Sequence, residues 1–294
     1  MTDNMSRHAV CIMAHKNAEQ LNVLLHLLDH PRINIYIHLD SKSCINPQMD
    51  IEQPKFSTLI FVPRHDTRWG DISLVETEME LFRAVYNSGI HYQRVHLISG
   101  QDLPVKSVDY ILEYFEKEEN KDKEFISVDD QPSEIRRLKY YWLCTKHMRQ
   151  GMFYKMIRHS ALIVQKVIGI NRLKKLPLNY KKGSEWVSLT CNAVNRLVES
   201  WPEYSKYFSK TVCSDELYKQ MVLADGGGQN DFSSKGNLRY AKFVSASPEI
   251  IHADKVADLV ANPDILFARK FDMILDRDAI DKLINEIKDK RKLD

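Results

Sequence analysis

HAVCIMAHKNAEQLNVLLHLLDHPRINIYIHLD, residues 8–40, decides how the chain folds. Its two ends, HAVCIMAH (8–15) and INIYIHLD (33–40), are short apolar runs rich in β-branched residues. Between them NAEQLNVLLHLLDH (17–30) places Leu21, Leu24, Leu25 and Leu28 on one face of a helix. A strand, a helix and a second strand make a β-α-β unit. The alternation continues with TLIFVP (58–63) as a strand, DISLVETEMELFRAVYNSG (71–89) as an amphipathic helix ending at Gly89, and RVHLISG (94–100) as a buried strand. A helix over SVDYILEYFEKE (107–118) and a strand over EFISV (124–128) follow. This order implies an α/β fold, a mostly parallel central sheet with helices on both faces, and ligands beyond the carboxyl ends of the strands. Those ends read AHK, HLDSKS and SGQDLP.

After residue 130 the chain turns basic, aromatic and irregular, as expected of an insertion that builds a second substrate's site. Within it Phe153, Ile157, Ala161, Val164 and Ile168 align on one side of a helix over 153–170, read here as a core helix with a solvated basic edge, with a basic amphipathic helix lying on an anionic membrane surface as the alternative. KGSEWVSLTCNAVNRLVES (182–200) returns to a strand and then a helix, ADGGGQNDFSSKGN (224–237) is a loop, LRYAKFV (238–244) is a strand, and the tail is a charged amphipathic helix. The expected organisation is one domain over 1–294, made of an α/β part (8–130), a more irregular part (131–275) and a C-terminal helix (276–294).

The 294 residues, 44% hydrophobic and 28% charged, can bury a full core, and a formal net charge of +2 argues against a dedicated nucleic-acid binder. Five scattered cysteines without a C-x-x-C arrangement fit free thiols in a reducing compartment. The N-terminal apolar run is too short for a membrane span or a signal peptide, so a cytoplasmic location is expected.

The sequence has no G-x-x-x-x-G-K, no G-x-G-x-x-G after the first strand, no H-E-x-x-H and no G-x-S-x-G, which disfavours P-loop NTPases, dehydrogenases, zincins and α/β-hydrolases. Its one D-x-D, Asp276-Arg277-Asp278, lies in the C-terminal segment and reads as surface helix. Where a nucleotide-sugar transferase would carry a metal-binding D-x-D, the chain offers Ser99-Gly100-Gln101-Asp102, with one carboxylate. Cations from the protein would then have to replace the metal, and LFARKFD (266–272) supplies Arg269 and Lys270. In TVCSDELYKQMVL (211–223), Ser214 reads as an N-cap, Asp215 and Glu216 as first-turn carboxylates, and Leu217, Met221 and Val222 as a buried stripe. The alternative is that one of the two carboxylates serves as a catalytic base.

In order and spacing, AVCIMAHKN, IYIHLDSKS, TRWGDISLVETEMELFRAV, VHLISGQDLPVKS, GSEWVSLT, SDELYKQ, LRYAKF and LFARKFD resemble the core-2/I-branching β-1,6-N-acetylglucosaminyltransferase family, which also includes peptide O-xylosyltransferases. The resemblance runs from about residue 8 to 275. It implies an inverting, metal-independent, UDP-sugar-dependent transferase of GT-A fold, with no metal site and no cofactor. Glu216 is the implied base, Asp215 the capping and orienting carboxylate, and Lys270 the diphosphate ligand. The family's partner arginine, some two dozen residues upstream of that lysine, is missing from SASPEIIHAD, which leaves Arg269 or Arg239 as substitutes. On the donor side the resemblance places Asp40 at the uracil and ribose, Ile12, Ala14 and His15 beside it, and Asp66, Trp69, Gly100, Asp102 and Arg269 around them. On the acceptor side it places Glu134, Arg137, Lys139, Glu185, Trp186 and Arg239. The implied partners are a UDP-sugar, N-acetylglucosamine being the first choice, and a glycan acceptor of a bacterial surface polysaccharide. If that acceptor is lipid-linked, a peripheral contact with the inner membrane face is expected. The competing reading is a carbohydrate-binding or assembly protein that kept this fold without turnover.

Overall fold

The computed structural model describes residues 6–129, 134–225, 231–244 and 247–290. The first β-α-β unit forms as expected: β1 (Arg7–Ala14), α1 (Ala18–Leu28) and β2 (Ile33–Leu39). The Asn17 side chain caps α1 by accepting from the Gln20 N–H at 3.1 Å. β3 (Thr58–Phe61), α2 (Ser73–Asn87) and β4 (Tyr92–Ser99) continue the alternation. The two-residue β5 (Leu103–Pro104), α3 (Val108–Glu116), capped by Ser107, and β6 (Lys123–Glu124) complete the first half. The strand expected over 124–128 is thus only two residues long at its start, and beyond it Phe125 makes an isolated bridge to Ser188.

In the second half come α4 (Arg136–Lys139), α5 (Met152–Val167), β7 (Val187–Leu189), α6 (Cys191–Phe208) and α7 (Tyr218–Ala224). They are followed by β8 (Asp231–Phe232), β9 (Arg239–Ala241), α8 (Ala253–Ala261), β10 (Phe267–Arg269) and α9 (Arg277–Lys290). Part of the loop expected over 224–237 lies outside the described residues.

The central sheet has the order β3-β2-β1-β4-β7, parallel except for β7, which runs antiparallel to β4. β1 and β2 are almost wholly buried because both faces are covered, which is why they read as continuous apolar runs rather than alternating ones. On one face Val10, Ile12 and Ala14 pack with Leu21, Leu24, Leu25 and Leu28 of α1 and with Leu283 and Ile287 of α9. On the other, Ala9, Cys11 and Met13 meet Val75, Met79 and Phe82 of α2, and Met221 and Val222 of α7. All five cysteines are free thiols.

A small sheet, β5-β10-β9, sits beyond the carboxyl end of β4. It carries the LFARKFD segment up to the central strands. There the Phe271 N–H donates to the Gln101 carbonyl at 3.0 Å, and Gln20 ties the two segments by donating to Phe271 O at 3.1 Å and accepting from Met273 N at 3.0 Å. The Asp276-Arg277-Asp278 triplet opens α9: Asp276 accepts the Ala279 N–H at 2.9 Å and pairs with His252 at 2.6 Å, so its first carboxylate is a helix cap.

The helix expected over 153–170 forms as α5, but its packing overturns the core reading. Arg158 is the only buried residue of α5, while Phe153, Met156, Ile163 and Val164 are exposed.

Candidate active site

The carboxyl ends of β1, β2 and β4 converge where strand order reverses around β1, so His15, Asp40 and Gly100 come together there. Gly100 has to be small: a Cβ on it would stand 3.0 Å from the Ala14 Cβ. The Ile12 and Ala14 side chains lie in the core beneath this edge, so their part is to shape the strand end. The Asp40 carboxylate accepts from the Lys42 backbone N–H at 2.8 Å and from the Lys42 ammonium at 3.0 Å. Lys42 also binds Asp66, whose carboxyl is held down to about 2 by its hydrogen bonds to Arg68 and Lys42. Trp69 is 40% exposed, with the Arg149 guanidinium 4.6 Å over its ring.

Four cations gather at this end. Lys16 pairs with Asp272 at 2.7 Å, and Lys270 has its pKa lowered by partial desolvation first and then by the charges of Lys16, Arg269 and Arg149. His15 is pushed down by partial desolvation, then by Lys16, against an opposing effect of Asp40. Like charges close enough to lower the Lys270 ammonium form an anion site in the making. Arg269 stands 4.4 Å over the Trp186 ring, and its Nε lies 3.2 Å from Asp102 Oδ1, misaligned for a hydrogen bond. Burial raises the Asp102 carboxyl, with Arg269 opposing. Asp102, Trp186, Arg239, Arg269 and their neighbours line a cavity of ≈ 190 Å³.

The Ser-Asp-Glu turn reaches the same region through Gly183, which donates to it and whose neighbours Ser184 and Trp186 line the cavity. It differs from the sequence expectation. Ser214–Glu216 form a single 3-10 turn, with Cys213 before it in the left-handed region (φ 50), and Leu217 (φ −124, ψ −51) separates it from α7. Ser214 Oγ therefore caps nothing, and Asp215 Oδ1 has no hydrogen-bond partner among the described residues, which removes the capping role from both. The expected apolar residues Leu217, Met221 and Val222 are buried, but so are Tyr218, Lys219 and Gln220, because α7 is enclosed on all sides.

Glu216 is the half-exposed member of the pair. Its Oε2 accepts from Arg137 Nη1 at 2.6 Å, and Arg137 Nε is 2.6 Å from Glu134, so three of the expected residues form one relay. Lys139 stands apart, over the Tyr140 ring. The Gly183 N–H donates to the Glu216 carbonyl at 2.9 Å, and a Cβ on Gly183 would fall 1.8 Å from Ser127 O, so only glycine allows the turn to seat against this segment. Two residues further along, Glu185 has its carboxyl raised well above the ordinary range by desolvation first and by the charge of Asp215 second. Asp215 itself is pushed up to about 7 by burial, then by Glu216 and Glu78. Arg239 is lined up differently: its guanidinium donates to Val187 O at 2.5 Å and Ser188 Oγ at 3.0 Å, stitching β9 to β7, and burial lowers its pKa to about 9. Of the two arginines offered as Lys270's partner, Arg269 is the one adjacent to it.

Sequence reasoning missed the support beneath the turn. Glu78 of α2 and Lys219 of α7 form a fully buried ion pair, and Tyr218 donates its hydroxyl to the same Glu78 oxygen at 2.7 Å. The signal was present, since Glu78 stands within the stripe of Val75, Met79 and Phe82. Tyr180 was missed as well. Its buried hydroxyl has no hydrogen-bond partner among the described residues, and desolvation pushes it up to about 12 near Arg137, Glu134 and Glu216. Among the described residues no three His, Cys, Asp or Glu side chains gather as a metal-binding group.

The family model for the core-2/I-branching enzyme matches residues 9–258, which span the strand ends, the Ser-Asp-Glu turn and the segment that seats it. The chain belongs to the core-2/I-branching enzyme family. It is thereby a glycosyltransferase, with a sugar donor and an acceptor as substrates. No curated protein sequence matches it. Among solved structures it is similar to mouse xyloside xylosyltransferase 1 in its apo form, with 11% identity, a TM-score of 0.40, and 81% of this chain and 88% of that one covered.

Proposed function

We propose that this branching-family enzyme transfers a sugar, N-acetylglucosamine in the first instance, from a UDP-sugar to a hydroxyl of a glycan acceptor, with inversion and without a divalent metal, in the synthesis of a bacterial surface polysaccharide. The observation that carries the reading is the segment from Gly183 to Trp186, which holds the Glu216 turn at one end and underlies Arg269 at the other. An in-line displacement needs that division: a base on the side of attack and positive charge on the side of departure.

Arg137 fixes Glu216 Oε2 and leaves Oε1 to take the proton from the acceptor hydroxyl as its oxygen attacks the anomeric carbon. The bond from that carbon to the diphosphate oxygen breaks with inversion, and the charge arriving on UDP meets Lys270, Arg269, Lys16 and Arg149. No glycosyl-enzyme forms. Asp40, with His15 beside it, receives the uridine, as the resemblance implies. Glu185, whose carboxyl is raised by burial and then by Asp215, stands beside Trp186 on the side the resemblance assigns to the acceptor.

The test is a panel of UDP-sugars incubated with the protein and acceptor glycans, with and without a chelator. UDP release that survives chelation is the expected result. Release abolished by chelation would refute metal independence, and tight UDP-sugar binding without any release would favour a binding protein.

A further inference from the structure

A helix on a protein surface normally turns its apolar stripe inward. α5 does the reverse. Met152, Phe153, Met156, Ile163, Val164 and Val167 are 50–81% exposed, and at 100° per residue they fall within one arc of the helix. The opposite arc holds the helix to the protein through polar groups. Arg158 donates to His147 O at 3.2 Å, Gln165 accepts from Tyr141 N at 2.7 Å and donates to Tyr141 O at 2.9 Å, and Tyr154 stacks on His147 at 4.1 Å. Ile157, Ala161 and Leu162 are partly covered on that side, but the hydrogen bonds that fix the helix are polar, and the arc from Met152 to Val167 is left outside.

Charge says what covers it. Residues 135–184 contain thirteen Lys and Arg and no Asp or Glu, so with a net +2 overall the rest of the chain carries minus eleven. Lys155 and Lys166 lie along one edge of the apolar arc on α5, and Lys174 and Lys175 follow the helix; all four are exposed. A second copy of the same chain would bring one such basic face against another, which like charges oppose. A negatively charged, apolar-cored surface matches both features.

We propose that α5 with its basic surroundings docks this enzyme on an anionic lipid bilayer, the helix lying flat with its apolar arc among the upper acyl chains and its lysines at the headgroups. Sixteen residues give a footprint about 24 Å long, enough to orient the molecule without crossing the membrane. The docked face adjoins the active site, because the segment that α5 packs on, 145–150, carries Arg149 to Trp69 and toward Lys270. The proposal does not depend on which sugar or acceptor the enzyme uses.

The test is co-sedimentation of the full chain with vesicles of phosphatidylcholine alone or mixed with anionic phosphatidylglycerol, at low and high salt. Wild type should pellet with the anionic vesicles and be released by salt. Phe153→Ser with Val167→Ser, and separately Lys174→Glu with Lys175→Glu, should each weaken binding about ten-fold or more. Because all four positions point away from the protein, the variants should keep the wild-type circular dichroism and thermal unfolding. As a second readout, Phe153→Trp should shift its emission to the blue only with anionic vesicles. The proposal is overturned by equal binding to neutral and anionic vesicles, by no binding, by binding indifferent to both double variants, or by sedimentation velocity showing a wild-type dimer that Phe153→Ser with Val167→Ser makes monomeric.

Discussion

Replacing Asp215 with asparagine should stabilise the protein, and do so far more at alkaline than at acid pH. Asp215 is buried, its Oδ1 has no hydrogen-bond partner among the described residues, and desolvation, then Glu216 and Glu78, push its carboxyl up to about 7 while Lys219 opposes them. In the unfolded chain the same group titrates near about 3.9. Between those values the folded state keeps a proton that the unfolded state has released, so this group's contribution makes stability fall as pH rises from about 4 to about 7 and then level off. A gap of about 3 pH units at about 1.36 kcal/mol each sets an upper bound of about 4 kcal/mol. Glu185, raised by burial and by Asp215, shares the same field, so about half of that bound is the expected value. With 294 residues the unfolding entropy is about 0.6 kcal/mol/K, so Asp215→Asn should raise Tm by about 3–6 °C at about pH 8.5 and by about a third as much at about pH 5. Differential scanning calorimetry at the two pH values measures it. Equal shifts at both, or a loss of stability at the higher one, would refute the idea that Asp215 is a desolvated carboxyl held against its preference.

Glu216→Gln should keep the fold and UDP affinity yet lower turnover by about 100-fold or more, read as kcat with UDP binding measured in parallel; near-normal turnover would remove Glu216 from the mechanism. Lys270→Ala should weaken UDP binding and turnover together, with little rescue by added manganese, and unchanged kinetics would leave the cation cluster without a role. Lys219→Met should cost about 3–5 kcal/mol in urea unfolding by stranding Glu78, whereas adding Glu78→Gln should recover most of it; a single variant as stable as wild type would show that the buried pair is not coupled.

The fold was legible because its signals are local. Two apolar runs around Leu21, Leu24, Leu25 and Leu28 specify a strand, a helix and a strand whatever surrounds them, and chain order places the ligand site at their carboxyl ends. The motifs also picked out Glu216 and the Arg269-Lys270 pair, and the fold brings the Gly183–Trp186 segment against both, with Gly183 at the Glu216 carbonyl and Trp186 beneath Arg269. What they could not supply was the partner of each group. Arg137 meets Glu216 across 79 positions and Lys219 meets Glu78 across 141, distances at which sequence patterns carry no information about contact. The same limit separates Ser214 and Asp215 from their expected capping role: Leu217 (φ −124, ψ −51) breaks the turn from α7, so neither side chain stands at the start of the helix. α5 shows the boundary most directly. Its composition and spacing alone determined that it would be an amphipathic helix, since periodicity fixes which side chains share a face. Which face turns inward depends on what the neighbouring loops present, and here they present the carbonyls of His147 and Met148 and the backbone of Tyr141, so the arginine and glutamine side docks and the apolar side is left outside.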